Sequence, residues 1–166
     1  MKKINKLFLP ILLLASALHA DDKVYSFIGV QTSASKFENT SIPTIGVKYG
    51  KQSNNMRTSL SYNYGEDGSN YYQTLLMQID TGILTRTFRD IALKPYVGAT
   101  IGLMQQNDDG LIPNRDRGYL YGANAGLTYI FNDAIDLDLA YRYLKTSQLE
   151  NIDKVSDLTF SMHYFY

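Results

Sequence analysis

Residues 158–166 of this 166-residue chain read Leu-Thr-Phe-Ser-Met-His-Tyr-Phe-Tyr, with an apolar side chain at every second position. Period-two alternation predicts a β-strand with one apolar and one polar face, because successive side chains of a strand point to opposite sides. Tyr164 and Tyr166 fall on the apolar face. Aromatic side chains are favoured where a membrane meets water, so the stretch predicts a strand whose apolar face contacts lipid.

The same stretch resembles the C-terminal signal of bacterial outer-membrane barrel proteins. In that signal a polar residue and a glycine precede two aromatic residues at alternating positions. Thr159, Ser161, Tyr164 and Tyr166 would fill those places, with Ser161 standing where glycine is commoner. The resemblance implies that the barrel-assembly machinery recognises these four residues during insertion.

The opposite end of the sequence has the features of a secretory signal peptide. Three lysines precede an apolar run over residues 7–17, which is too short to span a bilayer, and small residues follow it. We expect cleavage after Ala20, with Ala17 as the alternative. The expected organisation is a signal peptide over residues 1–20 and one exported domain over residues 21–166.

The composition restricts the possible functions. The first 20 residues contain three of the 16 basic residues and no acidic one, so the remaining 146 carry 13 basic and 16 acidic side chains. A net charge near −3 argues against nucleic acid as a partner. The absence of cysteine excludes disulfides and thiolate metal sites. With 14 tyrosines and no tryptophan, any aromatic girdle must consist of tyrosine and phenylalanine.

Alternation recurs after residue 20 in segments of about ten residues, separated by clusters of Gly, Asn, Asp and Ser. The pattern predicts eight strands, with boundaries uncertain by about 2–4 residues. The predicted strands cover residues 24–32, 44–49, 56–64, 71–85, 96–103, 121–129, 135–143 and 156–166. An even number of strands is what a single-chain bacterial outer-membrane barrel requires.

The predicted connections alternate in length. The longer and more polar ones cover residues 33–43, 65–70, 105–117 and 145–155. Short periplasmic turns and longer external loops are the rule for outer-membrane barrels, so we expect the N-terminus on the periplasmic side. The expected fold is an all-β, eight-stranded, antiparallel, up-and-down transmembrane β-barrel.

A soluble lipocalin-type barrel, with its apolar face inward, would also show eight alternating strands. The polar positions distinguish the two barrels. A solvated exterior carries many Lys and Glu residues, whereas these positions are mainly Ser, Thr, Gly and Asn. Small side chains suit the interior of an eight-stranded barrel, which is just wide enough for side chains to fill. The polar face is therefore expected to line a lumen.

Seven titratable side chains fall on the expected lumen face. They are Lys48, Arg57, Asp80, Asp136, Asp138, Arg142 and His163. The strand directions place them in the periplasmic half, with Arg142 somewhat higher. Because both signs of charge are present, ion pairs can offset the cost of burial, and we expect a hydrogen-bonded plug. The alternative is a partly hydrated lumen with unpaired charges.

Few residues in the sequence suggest catalysis. Some eight-stranded outer-membrane barrels modify lipid A, and such chemistry commonly uses a histidine to activate a serine or water. His163 is the one histidine after residue 20, and its expected periplasmic position is far from acyl chains in the outer leaflet. Ser161 shares its face through the period of two alone. We therefore expect a structural histidine and no enzyme.

No metal or cofactor site is expected. Residues 107–110, Asn-Asp-Asp-Gly, lack the ligand spacing and distal glutamate of an EF-hand loop, and a solvated turn explains them. Arg115 and Arg117 lie in the third expected external loop, where they could pair with lipopolysaccharide phosphates. A solvated charge cluster is the alternative.

From residue 21 onward the chain resembles the OmpA/OmpX-type family of small outer-membrane barrels, also described as the outer membrane protein β-barrel domain or opacity-type porin-like group. The residues that carry this resemblance are 94–99 (Lys-Pro-Tyr-Val-Gly-Ala), Gly102, 137–143 and the two terminal tyrosines. It implies an integral protein of the bacterial outer membrane, in contact with lipids and lipopolysaccharide.

The family includes structural proteins, adhesins, channels and enzymes, so the fold does not decide the activity. One interpretation is a non-enzymatic outer-membrane protein with a side-chain-filled lumen, whose loops serve membrane integrity or surface contact. The other is a narrow porin-like channel or transport protein for small solutes. Whether the lumen charges close on one another separates the two. The chain is expected to act as a monomer.

Overall fold

The protein, in a computed structural model, is described over residues 23–37, 40–53, 55–68, 70–82, 92–108, 114–149 and 152–166. Its eight strands are β1 (Tyr25–Phe37), β2 (Thr40–Gln52), β3 (Met56–Asp67), β4 (Asn70–Thr81), β5 (Leu93–Asp108), β6 (Asn114–Ile130), β7 (Ile135–Ser147) and β8 (Lys154–Phe165). The expected signal peptide lies outside the described residues. Within them, no helix is long and apolar enough to cross a membrane.

Each strand pairs antiparallel with its neighbour in sequence, and β1 also pairs with β8, so the sheet closes. The eight-stranded up-and-down barrel predicted from the sequence is confirmed. We call the end where β1 begins and β8 finishes the terminal end, and the opposite end the distal end. Closure leaves no unpaired sheet edge along the wall, as a bilayer requires.

The outer surface carries an apolar belt between two sets of tyrosines. Exposed aliphatic residues of the belt include Val30, Val47, Leu60, Leu75, Ile101 and Leu139. Exposed tyrosines at the terminal end are Tyr25, Tyr49, Tyr129, Tyr164 and Tyr166, and those in the distal half are Tyr62, Tyr119, Tyr121 and Tyr143. Aromatic girdles on both sides of an apolar band are typical of transmembrane barrels.

The strands are longer than the sequence predicted, mainly at the distal end. The connections expected over residues 33–43, 65–70, 105–117 and 145–155 are largely wrong, because the strands continue into them. Pairing extends to Phe37↔Thr40 and to Asp108↔Asn114. On the distal side of the apolar belt the outer face of the strands becomes polar. The alternation of apolar and polar residues therefore no longer reveals the strand there. Strand β4 ends at Thr81, and residues 83–85 lie outside the described residues.

An apolar cluster fills the distal half of the lumen, where small polar side chains were expected. Its members are Phe37, Ile42, Tyr72, Leu76, Met104, Leu120, Leu144, Leu149, Ile152 and Val155. The rings of Phe37 and Tyr72 stack with their centroids 4.6 Å apart. None of these side chains was assigned to the lumen from the sequence, and Phe37, Ile42, Leu149, Ile152 and Val155 fell in the predicted connections. Adjacent apolar pairs such as Leu75-Leu76 were the available signal, because one member of each pair must point inward.

Candidate functional site

The structure buries all seven titratable side chains expected in the lumen. They are Lys48, Arg57, Asp80, Asp136, Asp138, Arg142 and His163. Six of them lie within five residues of the terminal end of their strands, and Arg142 lies farther along β7. We call these six the terminal cluster. It is brought together by the alternation of the strands, which turns every second side chain inward.

Arg57 is the centre of the terminal cluster. Its Nη1 donates to Asp138 Oδ1 at 2.9 Å, and its Nη2 donates to Asp136 Oδ2 at 3.2 Å. Nη2 also donates to Thr128 Oγ1 at 3.2 Å, and Nε donates to Gln52 Oε1 at 2.7 Å. Strands β3 and β7 stand on opposite sides of the closed barrel. One guanidinium therefore ties two opposite walls together.

The carboxylate of Asp138 is satisfied on both oxygens. Besides Arg57, it accepts hydrogen bonds from Tyr96 OH and Thr128 Oγ1, each at 2.8 Å. The Tyr96 ring fits beside Gly126, where a Cβ atom would lie 2.5 Å from the Tyr96 hydroxyl. The Arg57 guanidinium also lies 5.6 Å from the centroid of the Tyr96 ring, within the range of a cation–π contact.

Asp136 and Asp80 have different partners. Asp136 Oδ1 lies 2.6 Å from His163 Nδ1, in addition to its contact with Arg57. Asp80 accepts from Asn124 Nδ2 at 2.7 Å and from Gln78 Nε2 at 2.9 Å. Within the described part of the chain neither Asp80 nor Lys48 takes part in an ion pair, although both are buried. The terminal cluster is thus partly ionic and partly held by neutral donors.

A further ion pair lies between the terminal cluster and the apolar cluster. Arg142 Nη2 is 3.0 Å from Asp157 Oδ2 and donates to Thr159 Oγ1 at 3.0 Å. Sequence reasoning missed Asp157, although its position two residues before Thr159 places it on the polar face of the strand. In the register Asp157 stands directly opposite Arg142.

Little space remains inside the barrel between the Arg142–Asp157 pair and the apolar cluster. The cavity there, whose walls include Tyr72, Leu76 and Leu120, has a volume of about 10 Å³. That volume accommodates at most one water molecule. At the terminal mouth, a depression of about 70 Å³ is lined by Arg57 and Tyr96 among others.

His163 is fully buried and has no access to a substrate. Its Nδ1 faces Asp136, and its ring packs 4.7 Å from that of Phe27. Among the described residues, His163 Nε2 and Ser161 Oγ have no hydrogen-bond partner. Both atoms are enclosed by the wall and the terminal cluster, so the pair is not arranged to act on a lipid outside the barrel.

The described residues contain no group of three or more potential metal ligands among His, Cys, Asp and Glu side chains. The turn expected over residues 107–110 is wrong at its start, because Asn107 and Asp108 are the last two residues of β5. Residues 109 and 110 lie outside the described residues. The backbone pairing of β5 with β6 accounts for the extension of the strand.

The expected assembly signal occupies both faces of β8. Thr159 and Ser161 are buried on the lumen side, and Tyr164 and Tyr166 are exposed at the terminal end. Strand β8 closes the barrel by pairing with β1 from Phe27↔Phe165 to Phe37↔Val155. The role of these four residues in assembly stays a prediction.

Arg115 and Arg117 were expected in a loop, and that placement is wrong. Both lie on β6, opposite Asn107 and Gln105 of β5, with their side chains exposed on the outer face. Arg117 Nε donates to Gln105 Oε1 at 2.7 Å. The two arginines therefore stand on a paired strand at the distal end of the barrel wall.

The sequence model of one family, described as outer membrane protein beta-barrel domain, matches residues 7–164. Neisserial surface protein A has a similar structure, with a TM-score of 0.69 and 16% identity over 86% of this chain and 97% of that one. Outer membrane protein H (OprH) from Pseudomonas aeruginosa gives 0.64 and 22% identity, over 86% and 99%. The outer membrane enzyme PagL gives 0.52 and 11% identity, over 83% and 98%. No curated protein matches the chain. Identities this low show a shared fold alone.

Proposed function

This chain belongs to the outer membrane protein beta-barrel domain family and is an integral outer-membrane protein, and from that premise we propose that it is non-enzymatic, with a lumen closed to solutes. Its role is then to support membrane integrity or to make contacts at the cell surface. The observation that carries this proposal is the crossing of the lumen by Arg57, which bonds Asp136 and Asp138 on the opposite wall.

The contacts in the lumen support closure at two levels. An ion entering from the terminal end meets Arg57 and the carboxylates of Asp80, Asp136 and Asp138, which already hold hydrogen-bonded partners, so it gains little when it loses its hydration shell. Beyond them it meets the apolar cluster, where an unpaired charge is costly. A solute would have to disrupt both levels to pass.

The distal rim supports a role at the surface. Strand β6 begins at Asn114, but its pairing with β7 begins only at Tyr119↔Ser147. The β5–β6 hairpin therefore extends past its neighbour and carries Arg115 and Arg117 on its outer face. Its orientation towards the cell exterior follows from the expected periplasmic position of the chain termini.

The likeness to PagL means that the fold itself does not decide against catalysis. Catalysis on a lipid needs a nucleophile and a base that the lipid can reach. His163 and Ser161 are both fully buried inside the wall. This burial supports the non-enzymatic interpretation.

The experiment that tests closure is single-channel conductance of the refolded protein in a planar bilayer, after a heat-dependent gel shift has confirmed the folded barrel. We expect no steady openings under voltage. Reproducible openings of one size would contradict closure and would favour the narrow porin-like channel instead.

A further inference from the structure

A groove runs across the outer face of β3–β6 in the distal half of the barrel. Its volume is about 370 Å³, which lies in the range of small-molecule sites. The lining side chains that matter here are Tyr62, Leu75, Leu103, Gln105, Arg117 and Tyr119. None of the groove's lining residues is acidic.

The strand register divides this groove into two rows. Tyr62 pairs with Leu75, Leu75 with Leu103, and Leu103 with Tyr119, so these four side chains cross four strands in one line. All four are between 41% and 50% exposed. We call this line the apolar row. An acyl chain could lie along it, because large exposed apolar side chains at membrane depth contact hydrocarbon.

The next row towards the distal end is polar. It contains Gln73, Gln105 and Arg117, which pair with one another in the register. Gln105 Oε1 accepts from Arg117 Nε at 2.7 Å, while Gln105 Nε2 donates to Asn107 Oδ1 at 3.1 Å. These contacts hold the guanidinium of Arg117 at the distal margin of the groove. Along β6 the outer face changes from apolar at Tyr119 to cationic at Arg117, two residues away.

Arg117 differs from the arginines of the lumen. Arg57 and Arg142 are buried against carboxylates, whereas the terminal amino groups of Arg117 have no ion-pair partner within the described residues. The planar N–H donors of a guanidinium match the geometry of a phosphate. An arginine above an apolar row fits a molecule with a phosphate head and a hydrocarbon tail.

We propose that this groove binds a phosphorylated lipid of the outer leaflet, with a phosphate on Arg117 and an acyl chain along the apolar row. The inference deepens the membrane-integrity role and rests on it for the outward orientation of the distal end. Cationic charge without a lining carboxylate favours an anionic lipid over a neutral one or a second copy of this chain.

Native mass spectrometry of the folded protein, released from micelles that contain diphosphoryl lipid A, tests the proposal. We expect wild type to retain the lipid and Arg117→Gln to retain about tenfold less, because a charge-assisted contact is lost. Arg115→Gln is the matched control, since it removes the same charge from the same face two residues away. We expect that control to change retention less than about twofold. Equal losses in both variants, or no loss in either, would overturn the proposal.

Further measurements test the phosphate head and the acyl tail of the lipid separately. The wild-type protein should retain lipid A without its two phosphates as weakly as Arg117→Gln retains diphosphoryl lipid A. Inorganic phosphate at the same concentration should not displace the lipid; displacement would mean a simple anion site and would contradict a lipid site. Leu103→Gln should lower retention, whereas Leu139→Gln, elsewhere in the belt, should not. Lipid retention is measured independently of conductance, so this inference and lumen closure can fail separately.

Discussion

In the terminal half of the lumen, Arg57 reaches across the barrel to two carboxylates through bonds of defined direction and length. In the distal half, ten buried apolar side chains pack against one another. Both arrangements fill an eight-stranded barrel, but they respond differently to change. A charge that loses its partner stays buried and unpaired, whereas an apolar side chain that loses a neighbour leaves a cavity that can partly close.

The position of each arrangement follows from the surroundings of the wall. The charges lie at the level where the apolar belt and lipid surround the barrel, so they need partners inside it. Part of the apolar cluster, including Phe37, Ile42 and Val155, lies where the outer face has turned polar, and there it supplies buried apolar surface that lipid no longer covers.

The largest effect is expected from Arg57→Ala, which leaves Asp136 and Asp138 buried without their cation. We expect it to lower the free energy of unfolding by about 3–5 kcal/mol. The measurement is the denaturant midpoint of the refolded barrel in vesicles. Arg115→Ala, at an exposed position, should change stability by less than about 0.5 kcal/mol. An unchanged midpoint for Arg57→Ala would show that the terminal cluster is solvated.

A charge on the outer face should come next. Leu60→Arg puts a guanidinium into the apolar belt and should cost about 2–4 kcal/mol if that position faces the middle of the bilayer. Ser41→Arg, on the outer face at the distal rim, is the control and should be tolerated. Good tolerance of arginine at position 60 in vesicle-based unfolding would overturn the assignment of the faces.

Truncation in the apolar cluster is expected to cost less than loss of the central cation. Leu120 is 2% exposed, and Leu120→Ala should lower the unfolding free energy by about 2–3 kcal/mol, through lost burial and a residual cavity. Leu120→Met, which conserves volume, should cost less than about 1.5 kcal/mol. Equal costs for the two variants would mean that this half of the lumen is not close-packed.

The smallest effect is expected where an ion pair is replaced as a whole. Arg142 and Asp157 border the apolar cluster, so Arg142→Met with Asp157→Leu should extend it and stay within about 1 kcal/mol of wild type. Arg142→Met alone should cost about 3 kcal/mol, because Asp157 is then left unpaired. A double variant no more stable than that single one would show that apolar packing cannot replace the pair.

The sequence was sufficient for the number of strands and for the facing of their lipid-exposed residues and of seven lumen charges. A period of two assigns each residue of a transmembrane strand to one face, and closure of the barrel then brings the inward charges together. Partners on opposite walls could not be read in this way. Which carboxylates Arg57 reaches depends on the shear of the closed barrel, and no local pattern encodes that quantity.

The distal half was harder to predict because its outer face is polar. Residues such as Gln105, Asn107 and Arg115 follow loop composition, although their backbones are paired in β5 and β6. The same polar composition moved Arg117 into a loop. Leu76 and Met104 were hidden for a related reason, since each follows an apolar residue that does face outward.

The most direct test of the account is a double-mutant cycle between Arg57 and Asp138, on opposite walls of the lumen. It needs the unfolding free energies of wild type, Arg57→Met, Asp138→Leu and the double variant, each measured on the folded barrel in vesicles. We expect a coupling energy above about 1 kcal/mol, because the two side chains bond directly. A coupling energy indistinguishable from zero would mean that water separates them, and a lumen closed by cross-wall ion pairs would be contradicted.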